Sequence, residues 1–190
     1  MLVLAIESSC DETSIAILKK DSSGLKCSLN EHFYSSVNSI QTVTHLISSQ
    51  IDLHKEYGGV IPELGAREHA KNINYLFQLA VKNAQKKIKL SQAEIYKKFS
   101  SIIVTSYPGL NSALKVGISF ARSLKFFLKE ELDTEVSLKF ANHLKGHVFS
   151  CFYNYENNLN TSLQQKPNKI LNIKDQEIFP HLHLLVSGGN

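Results

Sequence analysis

His143 and His147 stand four residues apart in the stretch ANHLKGHVFS, residues 141–150. On a helix that spacing sets two imidazoles on one face, close enough to share a cation. The same spacing also serves a structural pair whose ring nitrogens are satisfied locally. Zinc or iron needs a third and usually a fourth donor. No cysteine or carboxylate elsewhere in the 190 residues is singled out for that role by its spacing.

Other segments offer weaker chemistry. In ESSCDET, residues 7–13, small hydroxyls such as Ser8 and Ser9 and the loop amides could cradle a phosphate. The carboxylates there, Glu7, Asp11 and Glu12, could hold a magnesium ion or orient a nucleophile. Ser and Asp are equally the residues that a plain turn prefers. Pro108–Gly109 precedes a helical pattern, where an anion is favoured, although a tight strand-to-helix turn reads the same way. Val186–Gly189 (VSGG) carries the same two readings. In GGVIPELGAREH, Arg67 and His69 fall on a first helical stretch and could contact substrate or nucleic acid, or only solvent. The lysine-rich KNAQKKIK, residues 82–89, reads first as a solvated face and only second as a phosphate contact.

These residues need a scaffold, and the pattern supplies one. LVLAI and SIAIL flank the polar turn as two short apolar strands of a hairpin, with a third strand expected within Lys26–Ser36. After Pro62, a favoured helix-starting residue, Leu64, Ile73, Leu76, Phe77, Ala80 and Val81 recur at helical spacing. SIIVT is a buried-type strand, and Leu114, Gly117, Ala121, Leu124 and Leu128 mark the apolar face of the next helix. EVSLKF is a further strand, followed by the helix that carries the two histidines. The order βββ-α-β-α-β-α implies an α/β fold, a mixed sheet covered by helices. Residues 154–179 are polar and Asn-rich without periodicity and read as a flexible insertion. Residues 180–190 repeat the opening logic of an apolar strand running into a small polar turn. Three segments are therefore expected: a lobe over 1–153, the insertion, and the first strand and loop of a second lobe.

Composition narrows the class. No apolar run reaches a membrane span, no signal-peptide pattern opens the chain, and no transit peptide is visible. Three scattered cysteines, Cys10, Cys27 and Cys151, argue against a disulfide framework and for a reducing compartment. The net charge of +4, from 21 basic and 17 acidic residues, suits a polyanionic partner without requiring one.

The succession IESSCDETSIAIL, YGGVIPELGAREH, VTSYPGLNSALKVG, NHLKGH and LLVSGG resembles the tRNA N6-adenosine threonylcarbamoyltransferases, once described as O-sialoglycoprotein endopeptidases. The resemblance runs over the whole chain except the Asn-rich insertion. It implies the first lobe of the two-lobed fold shared by actin, hexokinase and Hsp70. It also implies transfer of threonylcarbamoyl from threonylcarbamoyl-adenylate to N6 of adenosine 37 in tRNAs that read codons beginning with A. By that resemblance His143 and His147 bind one divalent metal ion, iron or zinc, and Leu185, Val186, Ser187, Gly188 and Gly189 form a substrate-binding loop. Asp11 and Glu12 become the catalytic carboxylates, with Ser8, Ser9, Pro108 and Gly109 as phosphate or substrate loops.

The partners implied are the tRNA anticodon loop, a threonylcarbamoyl-adenylate synthase as supplier, and a second subunit in a homodimer or a heterodimer with a paralogue; no membrane is involved. Two departures stand out. Tyr107 occupies a position where the family usually has glycine, which points toward the mitochondrial branch, with the cytoplasm as the alternative. The LVSGG loop is followed only by Asn190, so the remaining metal carboxylate and most nucleotide-binding residues of the family are not among these residues. The expectation is a first lobe without transfer activity of its own. A scaffold subunit of the same pathway is the alternative. A metalloendopeptidase ranks lower, because Leu144, Lys145 and Gly146 supply no general-base Glu between the histidines.

Overall fold

A computed structural model describes residues 1–20 and 40–150. The strand expected within 26–36, the insertion at 154–179 and the loop at 185–189 lie outside the described residues, as do Cys27 and Cys151.

Strand β1 (Leu2–Glu7) alternates buried and half-buried residues, the period-2 signature of a strand with one face in the core. It pairs antiparallel with β2 (Glu12–Lys20), placing Leu4 opposite Ile17, Ile6 opposite Ile15 and Glu7 opposite Ser14. The third strand, β3 (Ile40–Ser49), was not assigned from the sequence pattern and pairs antiparallel with β2. Its buried residues, Val43 and Thr44, are adjacent rather than alternating, so periodicity gave no signal there.

A short helix α1 (Ile51–Lys55) leads to the long α2 (Pro62–Ile88), which begins on the proline. Then come α3 (Gln92–Lys98), β4 (Phe99–Tyr107), α4 (Asn111–Leu132), β5 (Ser137–Asn142) and α5 (His143–Ser150). The sheet order is β3-β2-β1-β4-β5, with β1, β4 and β5 mutually parallel. This is the mixed, helix-covered α/β sheet that the pattern implied.

The core joins one sheet face to α2 and α4. Leu4, Ile6, Ile17, Ile102 and Val104 meet Ile73, Phe77, Ala80 and Val81 of α2 and Ala121, Leu124 and Leu128 of α4. The five residues expected on the apolar face of α4 are all buried. Phe77 stacks on Tyr96 of α3 with ring centroids 5.9 Å apart, closing the core at that end. Helix α3 is held by a capping box: Ser91 Oγ accepts from Glu94 N–H at 3.3 Å while Glu94 Oε2 accepts from Ser91 N–H at 2.8 Å. Among the described residues no helix is long and apolar enough to cross a membrane.

Candidate functional site

Because β1, β4 and β5 run the same way, their last residues, Glu7, Tyr107 and Asn142, emerge along one edge of the sheet. Open α/β sheets bind ligands outside the carboxyl ends of their strands. The loop 8–11, the turn 108–110 and helix α5 all begin here.

The first two of these interlock. Leu110 N–H donates to Ser9 O at 2.7 Å, and Ser8 Oγ donates to Ala113 O at 3.0 Å. A Cβ at Gly109 would sit 2.7 Å from Ser9 O, and one at Gly117 would sit 2.4 Å from Ser8 Oγ, so both glycines permit the close approach. Thus Ser8, Ser9, Pro108 and Gly109 do come together, with a cis peptide bond at Tyr107–Pro108. Ser8 is fully buried, however, and its hydroxyl is directed at the α4 backbone.

The histidine pair sits beside this knot. Asn142 Oδ1 accepts the Lys145 N–H at 3.0 Å, capping α5 at its first turn. His143 Nδ1 lies 3.2 Å from Glu7 Oε2 and 3.2 Å from Ser9 Oγ. The two Nε2 atoms of His143 and His147 approach to 2.9 Å, with the rings at 89° to each other. Both Nε2 atoms thus meet at the rim within hydrogen-bonding distance, one donating to the other. Among the described residues no group of three or more His, Cys, Asp or Glu side chains is placed to hold a metal ion. Of the residues expected to hold a metal, His143 and His147 are the two that the described residues bring together.

Glu7, which the sequence offers only as one of three carboxylates in ESSCDET, is the one placed against the histidines. Its carboxylate accepts from Ser9 N–H, from the Thr105 hydroxyl and from His143 Nδ1. Burial works to raise its pKa, but the hydrogen bonds from the Ser9 hydroxyl, Thr105, the Ser9 amide and His143 outweigh it and hold the group below its ordinary value. Thr105 is near because β1 and β4 run in parallel register, Ile6 beside Val104, so the next residues adjoin. The available signal was Glu7 itself, an acidic residue at the end of an otherwise apolar strand.

Asp11 is half-buried, and Glu12 is exposed as the first residue of β2. Among the described residues neither side chain hydrogen-bonds to the histidines, whose ring partners are Glu7, Ser9 and each other. Burial, reinforced by the Asp11 charge, pushes the Cys10 thiol up to about 11, which leaves it a poor nucleophile.

His69 is not available to a ligand. It is fully buried, with Nδ1 2.7 Å from Thr13 Oγ1 and Nε2 donating to Cys10 O at 3.0 Å. Arg67 is exposed. Lys87 Nζ donates to Thr42 O at 2.8 Å, and Lys87 lies about 33 Å along the α2 axis from Gly65, which adjoins the site loop at Cys10. The lysine-rich stretch is therefore remote from the histidines.

A family model described as tRNA N6-adenosine threonylcarbamoyltransferase matches residues 41–171. A curated relative of that description from Thermosipho melanesiensis is 37% identical over 190 residues, covering 100% of this chain and 42% of its own length. Another from Fusobacterium nucleatum is 36% identical over 156 residues, covering 82% of this chain and 36% of its own length. The chain thus spans about two fifths of the length of the curated relatives it matches. Among solved structures, YeaZ from Pseudomonas aeruginosa is similar at a TM-score of 0.44 and 12% identity, over 78% of this chain and 48% of that one.

Proposed function

The chain belongs to the tRNA N6-adenosine threonylcarbamoyltransferase family, and from that premise we propose that it takes part in moving a threonylcarbamoyl group from threonylcarbamoyl-adenylate to N6 of adenosine 37 in tRNA. The observation that carries this reading is the convergence of His143 and His147 Nε2 at 2.9 Å, at the carboxyl edge of the parallel strands. Those two residues would hold a divalent ion. When bound, such an ion supplies polarisation of a carbonyl or phosphate oxygen. The chain's own groups do the rest. Glu7 and Ser9 orient His143, while the interlocked loops at 8–11 and 108–110 form a rigid wall beside it. Asp11, in the same loop, and Glu12, which opens β2, are the groups proposed to hold or relay a proton at the adenine amine.

Because two imidazoles make only part of a metal site and the described residues place no third donor beside them, the proposal extends to incompleteness: transfer needs further ligands, supplied by a second lobe. A direct test supplies labelled threonylcarbamoyl-adenylate and unmodified tRNA to the chain alone. It compares this with a fusion in which the chain replaces the matching segment of the Thermosipho melanesiensis relative. The fusion should form modified adenosine, His143→Ala and His147→Ala should each abolish it, and the chain alone should form none. Robust transfer by the chain alone would refute the incompleteness. A folded, metal-loaded fusion that is inert would refute the function.

A further inference from the structure

The neighbours of His143 settle more than its position. A neutral imidazole carries one N–H and one lone pair, and whichever nitrogen bears the proton cannot ligate a cation. Nδ1 faces the Glu7 carboxylate and the Ser9 hydroxyl oxygen, each at 3.2 Å, and Nε2 faces His147; the Ser9 hydroxyl gives its own proton to Glu7, so its oxygen too is left to accept from Nδ1. The carboxylate is itself pinned, by the Ser9 amide on Oε1 and the Thr105 hydroxyl on Oε2. An ionised carboxylate can only accept. We propose that Glu7 is a positioning residue: it takes the proton of His143 on Nδ1, so that His143 Nε2 keeps its lone pair, accepting from His147 Nε2–H until a cation takes that proton's place. The preference for a divalent cation rests on the function proposed above, whereas the tautomer does not.

The pinning makes the idea sharp. In Glu7→Gln one oxygen becomes an NH2 donor. The Ser9 amide is a backbone donor that cannot turn, so the amide oxygen must stay on it and the NH2 must face Thr105 and His143. Thr105 can rotate and accept, but Nδ1 then has to accept as well, and the ring proton moves to Nε2. The substitution leaves size almost unchanged and reverses the ring.

The test uses the 190-residue chain, labelled with 15N and free of metal at neutral pH, with the imidazole nitrogens observed by NMR. The expected spectrum has His143 protonated on Nδ1 in the wild type and on Nε2 in Glu7→Gln, while Glu7→Asp, which keeps the acceptor, retains the wild-type tautomer. Titration with cobalt(II), followed by its visible absorption, should show Glu7→Gln binding roughly 10- to 100-fold more weakly than wild type. Thr105→Val, which leaves the acceptor in place, should keep the wild-type tautomer. A wild-type His143 protonated on Nε2 overturns the proposal whether or not any variant folds. So does a folded Glu7→Gln that changes neither tautomer nor affinity. A tautomer that switches as described in a chain that binds no cobalt upholds the role of Glu7 and removes the metal reading instead.

Discussion

His69 and His143 both reach the loop between β1 and β2, yet they do opposite things. His69 is sealed: Thr13 satisfies one ring nitrogen and the Cys10 carbonyl the other, both neutral partners within the core. His143 stands at the rim with its side chain 28% exposed, one nitrogen against a carboxylate and the other turned toward a second imidazole. The difference lies in the partners more than in burial. A ring with both nitrogens satisfied by neutral groups is structural, whereas an anion on one side leaves a lone pair available on the other.

The largest test of that contrast is a pair of alanine substitutions. His69→Ala opens a cavity and strands the Thr13 hydroxyl and the Cys10 carbonyl, at a cost of about 3–5 kcal/mol. His143→Ala, at the rim, should cost less than about 1 kcal/mol in the metal-free chain while removing cation binding. Urea unfolding measures both, and equal losses would erase the distinction.

A middle-sized effect is expected at Gly117. An added Cβ would lie 2.4 Å from Ser8 Oγ, forcing that buried hydroxyl off the Ala113 carbonyl. Gly117→Ala should cost about 1–3 kcal/mol. Because Ser9 follows Ser8, it should also disturb His143, visible as a shift in its ring resonances. A neutral, silent substitution would mean that the loop is not braced by α4.

The smallest effect is in pH. Burial lowers the pKa of His69 from its ordinary 6.5, against the opposing bond from Cys10 O and the charges of Glu7 and Asp11. As pH falls through 6.5 the unfolded chain gains a proton at His69 before the folded chain does, so stability is full above that pH and declines below it. Thermal unfolding from pH 7.5 to 5 should show this decline, and His69→Gln should flatten it. An unchanged slope would assign the acid sensitivity elsewhere.

The hairpin, α2, β4 and α4 were legible because each buries one face, and a buried face writes its period into the chain. Helix α3 was legible in principle through SQAE at 91–94, which folds as a capping box. Strand β3 was not, since its buried pair Val43–Thr44 breaks alternation. At the site, the spacing of His143 and His147 sufficed to put both rings on one helical face, and their Nε2 atoms do converge. That Glu7 meets His143 and Thr105 could not be read locally, because those partners lie 136 and 98 residues away.

Local periodicity and the four-residue histidine spacing, then, are properties the chain carries in any window of a dozen residues. That β4 and β5 lie parallel beside β1, bringing Glu7, Ser9 and His143 to one edge, was decided only by strand order and register. Those follow from how the whole apolar face is buried at once, a cooperative choice that no single segment contains.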